Sequence, residues 1–190
     1  IPNFMKIILA SKSPRRKELL IQAGYDIEIF HKEVDETYPN EIPLEKVAEY
    51  LAIKKANECA EVITSDKILL TADSIVLHKN KIYGKPTDFN DAYRILTELS
   101  GHTHKVITGV CLKTLNKEIS FSGVSEVKFG LLAPNEIEHY INTCEPYDKA
   151  GSYGVQDWIG LCKIEYIKGT YTNIMGLPMN LVYENLLRFK

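Results

Sequence analysis

No two cysteines of this chain lie close enough to form a C-x-x-C pair. Cys59, Cys111, Cys144 and Cys162 are widely spread. That spacing argues against a zinc ribbon or a disulfide framework and fits reduced residues at core or half-core positions of a cytoplasmic protein. Charge of one sign is lacking too. Lys+Arg of 23 against Asp+Glu of 25 leaves a net charge of −2, without the basic excess of a general nucleic-acid binder. No apolar run approaches the roughly eighteen residues of a membrane-spanning helix, so neither stable nucleic acid nor membrane is an expected partner. The start of the chain has no basic segment and no small-residue cleavage site of the secretory kind. The four residues before Met5 read as an addition ahead of a natural start. There is no G-x-x-x-x-G-K-[ST] and no G-x-G-x-x-G after a strand, which excludes a P-loop protein and disfavours a dinucleotide dehydrogenase. No histidine pair has metal-ligand spacing on a helix, and His102 and His104, at a strand entry, are expected at the surface. No repeat, low-complexity tract or linker divides the 190 residues, so one domain, with room for two lobes, is expected.

What is present alternates between strand and helix. An apolar run at 5–9 predicts a buried strand, and 14–23 predicts a helix closed by Gly24. Between them stands Ser11-Lys12-Ser13-Pro14-Arg15-Arg16-Lys17. Ser13 is placed to cap the helix and Pro14 to occupy its first position. Yet Arg15, Arg16 and Lys17 crowd the positive end of the helix dipole, where acids belong. Either these cations splay into water, or an anion such as phosphate completes the arrangement.

A second strand is expected at 27–30, followed by the acidic knot Glu33-Val34-Asp35-Glu36. The knot reads as a solvated turn or as a divalent-cation site, since hard ions take carboxylate oxygens. The longest predicted helix covers 44–63, with an apolar stripe at helical spacing. Lys55 falls inside that stripe, and either snorkels past the core edge or reaches a buried anion. Lys54 falls off it and is expected in solvent. Apolar segments at 68–71 and 75–77 predict strand, with Ala72-Asp73-Ser74 at the end of the first. A carboxylate interrupting such a run is costly unless paired or metal-bound, and strand ends in open α/β sheets are where ligands bind. Asp73 is therefore the acid whose setting argues most for chemistry, with a turn or cap as the alternative. A hairpin tip at Lys79-Asn80-Lys81 precedes Gly84-Lys85-Pro86, where backbone-constraining residues hold Lys85. Asp88 caps a helix ending at Leu99 before Gly101. Stretches 104–115 and 118–129 predict an antiparallel hairpin, 134–143 a helix, 163–168 a strand and 178–187 a last helix. Residues 148–158 read as a glycine-punctuated loop rich in specific side chains, the kind that carries binding groups. Mixed strands and helices in this order predict an α/β fold with a bent, mixed sheet, flanking helices and a central cleft. Cations at 15, 16, 55 and 85, a helix N-terminus and the acids Glu36 and Asp73 together fit a polyphosphate held with Mg²⁺.

Taken as a set, Ser11-Lys12-Ser13-Pro14-Arg15-Arg16, Ala72-Asp73-Ser74, Gly84-Lys85-Pro86, Leu99-Ser100-Gly101 and Asp148-Lys149-Ala150-Gly151 through Gln156 resemble the Maf family of nucleoside triphosphate pyrophosphatases, also called septum formation inhibitors. The motifs stand in the family's order and cover the chain from Ile7 to Leu187. The resemblance implies an elongated α/β fold with a deep cleft between two lobes. It also implies a divalent metal (Mg²⁺ first, Mn²⁺ as the alternative), cleavage of a nucleoside triphosphate to monophosphate and pyrophosphate, and a homodimer. By resemblance, Asp73 matches the proton acceptor, and Arg15, Ser74 and Gln156 match positions of substrate choice. Ser11, Arg16, Glu36, Lys55, Lys85 and Lys149 match polar positions lining the cleft. Glu36 and Asp73 are the expected metal ligands, though a carboxylate oxygen bonded to a metal is a poor base. Small Ser74 resembles the Thr of the branch acting on dTTP and UTP more than the Gln of the branch acting on 7-methyl-GTP. The Gln156 amide carries the donor and acceptor that match uracil or thymine. CTP, modified pyrimidine nucleotides and 7-methyl-GTP are further substrates to test, and a non-catalytic nucleotide-binding regulator of septum formation is a reading of another class.

Overall fold

The computed structural model describes residues 6–189. The residues before Met5, which read as an addition ahead of a natural start, therefore lie outside the described residues, as does the first residue of the predicted strand 5–9. Strands are β1 (Lys6–Ala10), β2 (Ile27–Phe30), β3 (Lys67–His78), β4 (Lys81–Tyr83), β5 (Thr103–Lys113), β6 (Glu118–Phe129) and β7 (Ile164–Lys168). Helices are α1 (Pro14–Gln22), α2 (Val47–Glu58), α3 (Phe89–Leu99), α4 (Pro134–Cys144), α5 (Trp158–Lys163), α6 (Tyr171–Met175) and α7 (Met179–Leu186). The seven strands form one mixed sheet in the order β2-β1-β3-β5-β6-β7, with β4 beside β3. The chain divides into two compact units. One holds the chain up to Asp73, Thr108–Gly123 and the chain from Gly176; the other holds Ser74–Ile107 and Val124–Met175. No helix among the described residues is long and apolar enough to cross a membrane.

In the first unit β1 pairs in parallel with β2 on one side and β3 on the other. Being flanked on both edges, β1 reads from Ile7 to Ala10 as a continuous apolar run rather than an alternating one. Leu9 of β1 stands opposite Leu70 of β3. The two residues after Leu9 therefore bring Ser11 level with Ala72. Helix α2 packs its Ala52, Ala56 and neighbouring Cys59 against Ile8, Leu69 and Cys111. It also lies backbone-on-backbone against β5: a side chain at Gly109 would overlap the main chain of Ala48 and Glu49.

The second unit is built on a core of Leu96, Leu99, Phe129, Tyr140 and Tyr153 with Val76 and Ile159. Here β4 returns antiparallel along β3 through a turn in which Lys79 and Asn80 both have positive φ (47° and 59°), the geometry of a tight hairpin. β4 is clamped to α3 by Glu98, whose carboxylate accepts from the Tyr83 hydroxyl at 2.5 Å, Lys81 at 2.9 Å and Arg94 at 2.7 Å. Those partners, Tyr83 first, hold the Glu98 carboxyl down at about 2. A carboxylate so depressed stabilises the fold above its ordinary range and loses that contribution as the pH falls toward 2. Glu98→Gln should therefore lower the unfolding midpoint at pH 7, and the gap from wild type should close between about pH 4.5 and 2. Midpoints measured across that range check it.

Several expectations are corrected. The helix predicted over 44–63 is a 3₁₀ turn at Leu44–Lys46, α2, and a second 3₁₀ turn at Ala60–Val62. Strand β3 runs unbroken through Asp73 and Ser74, because a lateral ion pair, described below, compensates the acid and the backbone need not turn. His104 is buried, at 2% exposure. Its Nε2 shares a 2.8 Å hydrogen bond with the Tyr153 hydroxyl, and burial pulls its pKa to about 3, so it is a neutral core residue. Cys162 is exposed, whereas Cys59 and Cys111 are buried; all four are free thiols. The loop expected to run through Trp158 gives way to α5, which begins at that residue. Trp158 packs on the core of its unit, edge-on to His139 with ring centroids 5.6 Å apart.

Candidate active site

In the first unit the carboxyl end of β1 delivers Ser11 directly before α1. Ser13 has the extended backbone of an N-cap, but its side chain makes no cap hydrogen bond, and no acidic residue stands in the first turn. The local bonding falls to Ser11 instead. Its Oγ accepts from the Ser13 N–H at 3.1 Å and from Arg16 Nη1 at 3.2 Å. Arg16 also donates from Nη1 to the Ala72 carbonyl at 2.8 Å and from Nε to the Gly176 carbonyl at 2.9 Å. Burial works against the Arg16 charge and lowers its pKa, and the Asp73 carboxylate nearby offsets part of that. Arg16 thus ties α1, β3 and the segment before α7 together. Arg15 is half-buried beside it.

Helix α2 and strand β3 meet in a matched register. Thr71 donates its hydroxyl to the Ala52 carbonyl at 2.6 Å. Two residues further along β3, and three along α2, Asp73 meets Lys55. Lys55 Nζ donates to Asp73 Oδ2 and, at 2.7 Å, to Glu36 Oε1. One ammonium therefore bridges two carboxylates. Asp73 is buried at 9% exposure, whereas Glu36 is exposed.

The rest of the acidic knot does not converge. Glu33 pairs with Lys12 at 2.9 Å and Asp35 with Lys54 at 3.0 Å. Lys54, expected in solvent, also donates to the Thr37 carbonyl at 3.0 Å. The reason is geometric: the loop passes along the edge of α2 and meets consecutive lysines with different acids.

In the second unit Gly151 N–H donates to the Gly84 carbonyl at 3.0 Å, so the segments carrying Lys85 and Lys149 are neighbours. Gly151 has φ +71°, and a Cβ there would stand 2.6 Å from Val76 Cγ2; both its conformation and its contact require glycine. Lys85 is exposed and engages no protein partner among the described residues. Lys149 pairs with Asp148 at 2.8 Å and stands 3.9 Å from Asp157 Oδ2. Gln156 Oε1 is buried without a hydrogen-bond partner among the described residues. Ser74 is half-buried, on the strand face opposite to Asp73 by alternation. Asp157 accepts at 2.7 Å from Tyr140, a residue that nothing in its local sequence marks, because its partner lies 17 positions away.

The structure thus joins Ser11, Arg16, Glu36, Lys55 and Asp73 in one network of the first unit. In the second it makes the Lys85 and Lys149 segments neighbours and leaves Gln156 with a buried unpaired acceptor. An acid–ammonium–acid group stands beside a basic helix start that lacks a side-chain cap, and such a start can offer N–H groups and positive charge to an anion. Residues 6–189 match the family model described as Maf-like protein, and the chain belongs to the Maf family. It is 46% identical over 182 residues to a Phocaeicola vulgatus protein named dTTP/UTP pyrophosphatase, covering 95% of this chain and 94% of that one. It is 44% identical over 189 residues to a Porphyromonas gingivalis protein of the same name, covering 97% and 94%. Among solved structures, the Staphylococcus aureus Ham1 protein aligns over 65% of this chain and 71% of that one, at 14% identity and a TM-score of 0.47.

Proposed function

We propose that this protein hydrolyses dTTP and UTP to the nucleoside monophosphate and pyrophosphate, the activity that its relatives' names state for those proteins. The observation that carries the reading is Lys55 bridging Asp73 and Glu36. Lys55 engages Asp73 through Oδ2, so Oδ1 is the oxygen assigned to the water that attacks the α-phosphorus. The water oxygen bonds to phosphorus, the bond to the departing pyrophosphate breaks, and the water proton passes to Asp73. Arg15 and the first turn of α1 hold phosphate oxygens, and Lys55 adds positive charge. Lys85 and Lys149 are assigned to phosphate, and Gln156 with Ser74 to the base. Arg16 and Ser11 fix the backbone around Asp73.

The acids also suit a divalent cation. Asp73 and Glu36 already converge on one cationic nitrogen. Among the described residues no group of three or more His, Cys, Asp or Glu could hold a metal. Mg²⁺ matches such a set, because it commonly takes one or two carboxylates and fills its shell with waters and substrate phosphates. Glu36 would hold it, with Asp73 contributing through an oxygen other than the one that takes the water proton, and Mn²⁺ is the alternative; when bound, the ion would neutralise charge on the leaving pyrophosphate. The family resemblance also supports a homodimer and a cytoplasmic setting, which sedimentation and cell fractionation test.

Pyrophosphate release from dTTP, UTP, CTP, 7-methyl-GTP, ITP and ATP is the deciding experiment. The expected kcat/KM for dTTP and UTP exceeds that for ATP and ITP by about tenfold or more. A chelator should abolish the activity and added Mg²⁺ should restore it. A preference for 7-methyl-GTP overturns the assignment of Ser74 and Gln156. Absence of release from every triphosphate, with nucleotide still bound, overturns the enzyme reading in favour of a nucleotide-binding regulator.

A further inference from the structure

Asp157 occupies the N-cap position of α5, yet its side chain does not cap that helix. An aspartate in this position normally accepts a first-turn N–H, so a diverted carboxylate needs a reason. Asp157 Oδ2 accepts instead from the Tyr140 hydroxyl at 2.7 Å. The same hydroxyl accepts from the Gly154 N–H at 3.0 Å. Between Gly154 and Asp157 runs a turn closed by the Asp157 N–H donating to the Gly154 carbonyl at 3.1 Å. One phenol oxygen thus grips both ends of a four-residue turn, and Gln156 is inside it. Tyr140 is fully buried on α4, so the grip is anchored in the core of its unit. Burial and the Asp157 carboxylate push the Tyr140 hydroxyl well above its ordinary range, so it remains a donor at every working pH. What the turn presents is an acceptor in want of a donor, since Gln156 Oε1 is buried and unpaired among the described residues.

We infer that Tyr140 and Asp157 are positioning residues for base selection, a clamp that aims the Gln156 amide at the Watson–Crick edge of a pyrimidine carrying an N–H at position 3. Uracil and thymine present that N–H between carbonyls; cytosine presents an acceptor there. With cytosine, Gln156 Oε1 stays unpaired and two acceptors face each other, the kind of mismatch that polar sites reject. Neither clamp residue touches the reacting atoms. This inference rests on the pyrimidine reading of the site.

The test is steady-state kinetics on dTTP and CTP for wild type, Tyr140→Phe, Asp157→Ala and Asp157→Asn, with thermal midpoints recorded alongside. Tyr140→Phe and Asp157→Ala should each lower the dTTP-to-CTP ratio of kcat/KM by about fivefold, the worth of about one hydrogen bond. The loss should fall on KM for dTTP and leave kcat within about twofold. Asp157→Asn should retain the ratio, because its carbonyl oxygen still accepts from Tyr140. Rescue by that conservative change separates clamping from loss of bulk. If Tyr140→Phe does not fold, the comparison of Asp157→Ala with Asp157→Asn carries the same distinction. An unchanged ratio in the folded variants overturns the inference while leaving dTTP hydrolysis intact, as does a loss confined to kcat. A wild type that turns over no pyrimidine triphosphate overturns the functional reading and the clamp with it.

Discussion

Asp73→Asn should reduce kcat for dTTP by about a hundredfold to ten-thousandfold, the range of a lost general base, while the protein still binds the nucleotide. The substitution is nearly isosteric. The amide oxygen can accept from Lys55 as the carboxylate does, and Lys55 keeps its 2.7 Å contact with Glu36. What disappears is the negative charge and the capacity to take a proton from water. Pyrophosphate release at saturating dTTP, beside a calorimetric Kd and a thermal midpoint, separates the outcomes. Retained binding with lost turnover supports the proton-acceptor role. Full activity would remove Asp73 from the chemistry. Loss of binding with an intact fold would make it chiefly a substrate or cation ligand.

Arg16→Ala should act first on stability. Its guanidinium donates to the carbonyls of Ala72 and Gly176 and to Ser11 Oγ. Truncation strands these acceptors in a half-buried setting, for a loss of about 3 kcal/mol. For a chain of 190 residues that corresponds to a midpoint lower by roughly 6–12 °C. Arg16→Lys should recover only part of it, because one ammonium cannot span acceptors that a planar fork reaches together. Activity measured well below the midpoint should fall less than in Asp73→Asn. Equal losses of kcat in the two variants, without a change in midpoint, would place Arg16 on the phosphates and not in the scaffold.

The features legible in the sequence are those whose causes are local. Ser13-Pro14 announces the start of α1, and Asp88 caps α3 as expected, accepting from the Asp91 N–H at 2.8 Å. The stripe on α2 placed Lys55 facing inward. Its contact with Asp73, 18 residues away, is created only by packing α2 on β3. For the same reason the sequence of β3 reads as interrupted: an acid in an apolar run reads as a strand end until its partner is known. Lys54 and His104 depart from expectation for one reason. The solvent exposure expected of each is overridden by a neighbour distant in sequence, Asp35 for the first and Tyr153 for the second. Tyr140 carried no signal, since an isolated tyrosine on a helical face is ordinary core material until its hydroxyl is seen to have two partners.

The absence of a side chain at Gly109 has a consequence for how this family member can change over generations. Because α2 meets β5 through main-chain atoms there, its depth against the strand is not set by the bulk of a replaceable residue. Volume-conserving exchanges at the larger stripe positions, Val47 and Leu51, then cost little by comparison and leave the Lys55 ammonium in place. Enlargement at residue 109 is different in kind: it would lift the helix as a whole and carry Lys55 away from its two acids at once. The most permissive residue type thus holds the least permissive position, and a survey of tolerated variants should find it nearly invariant.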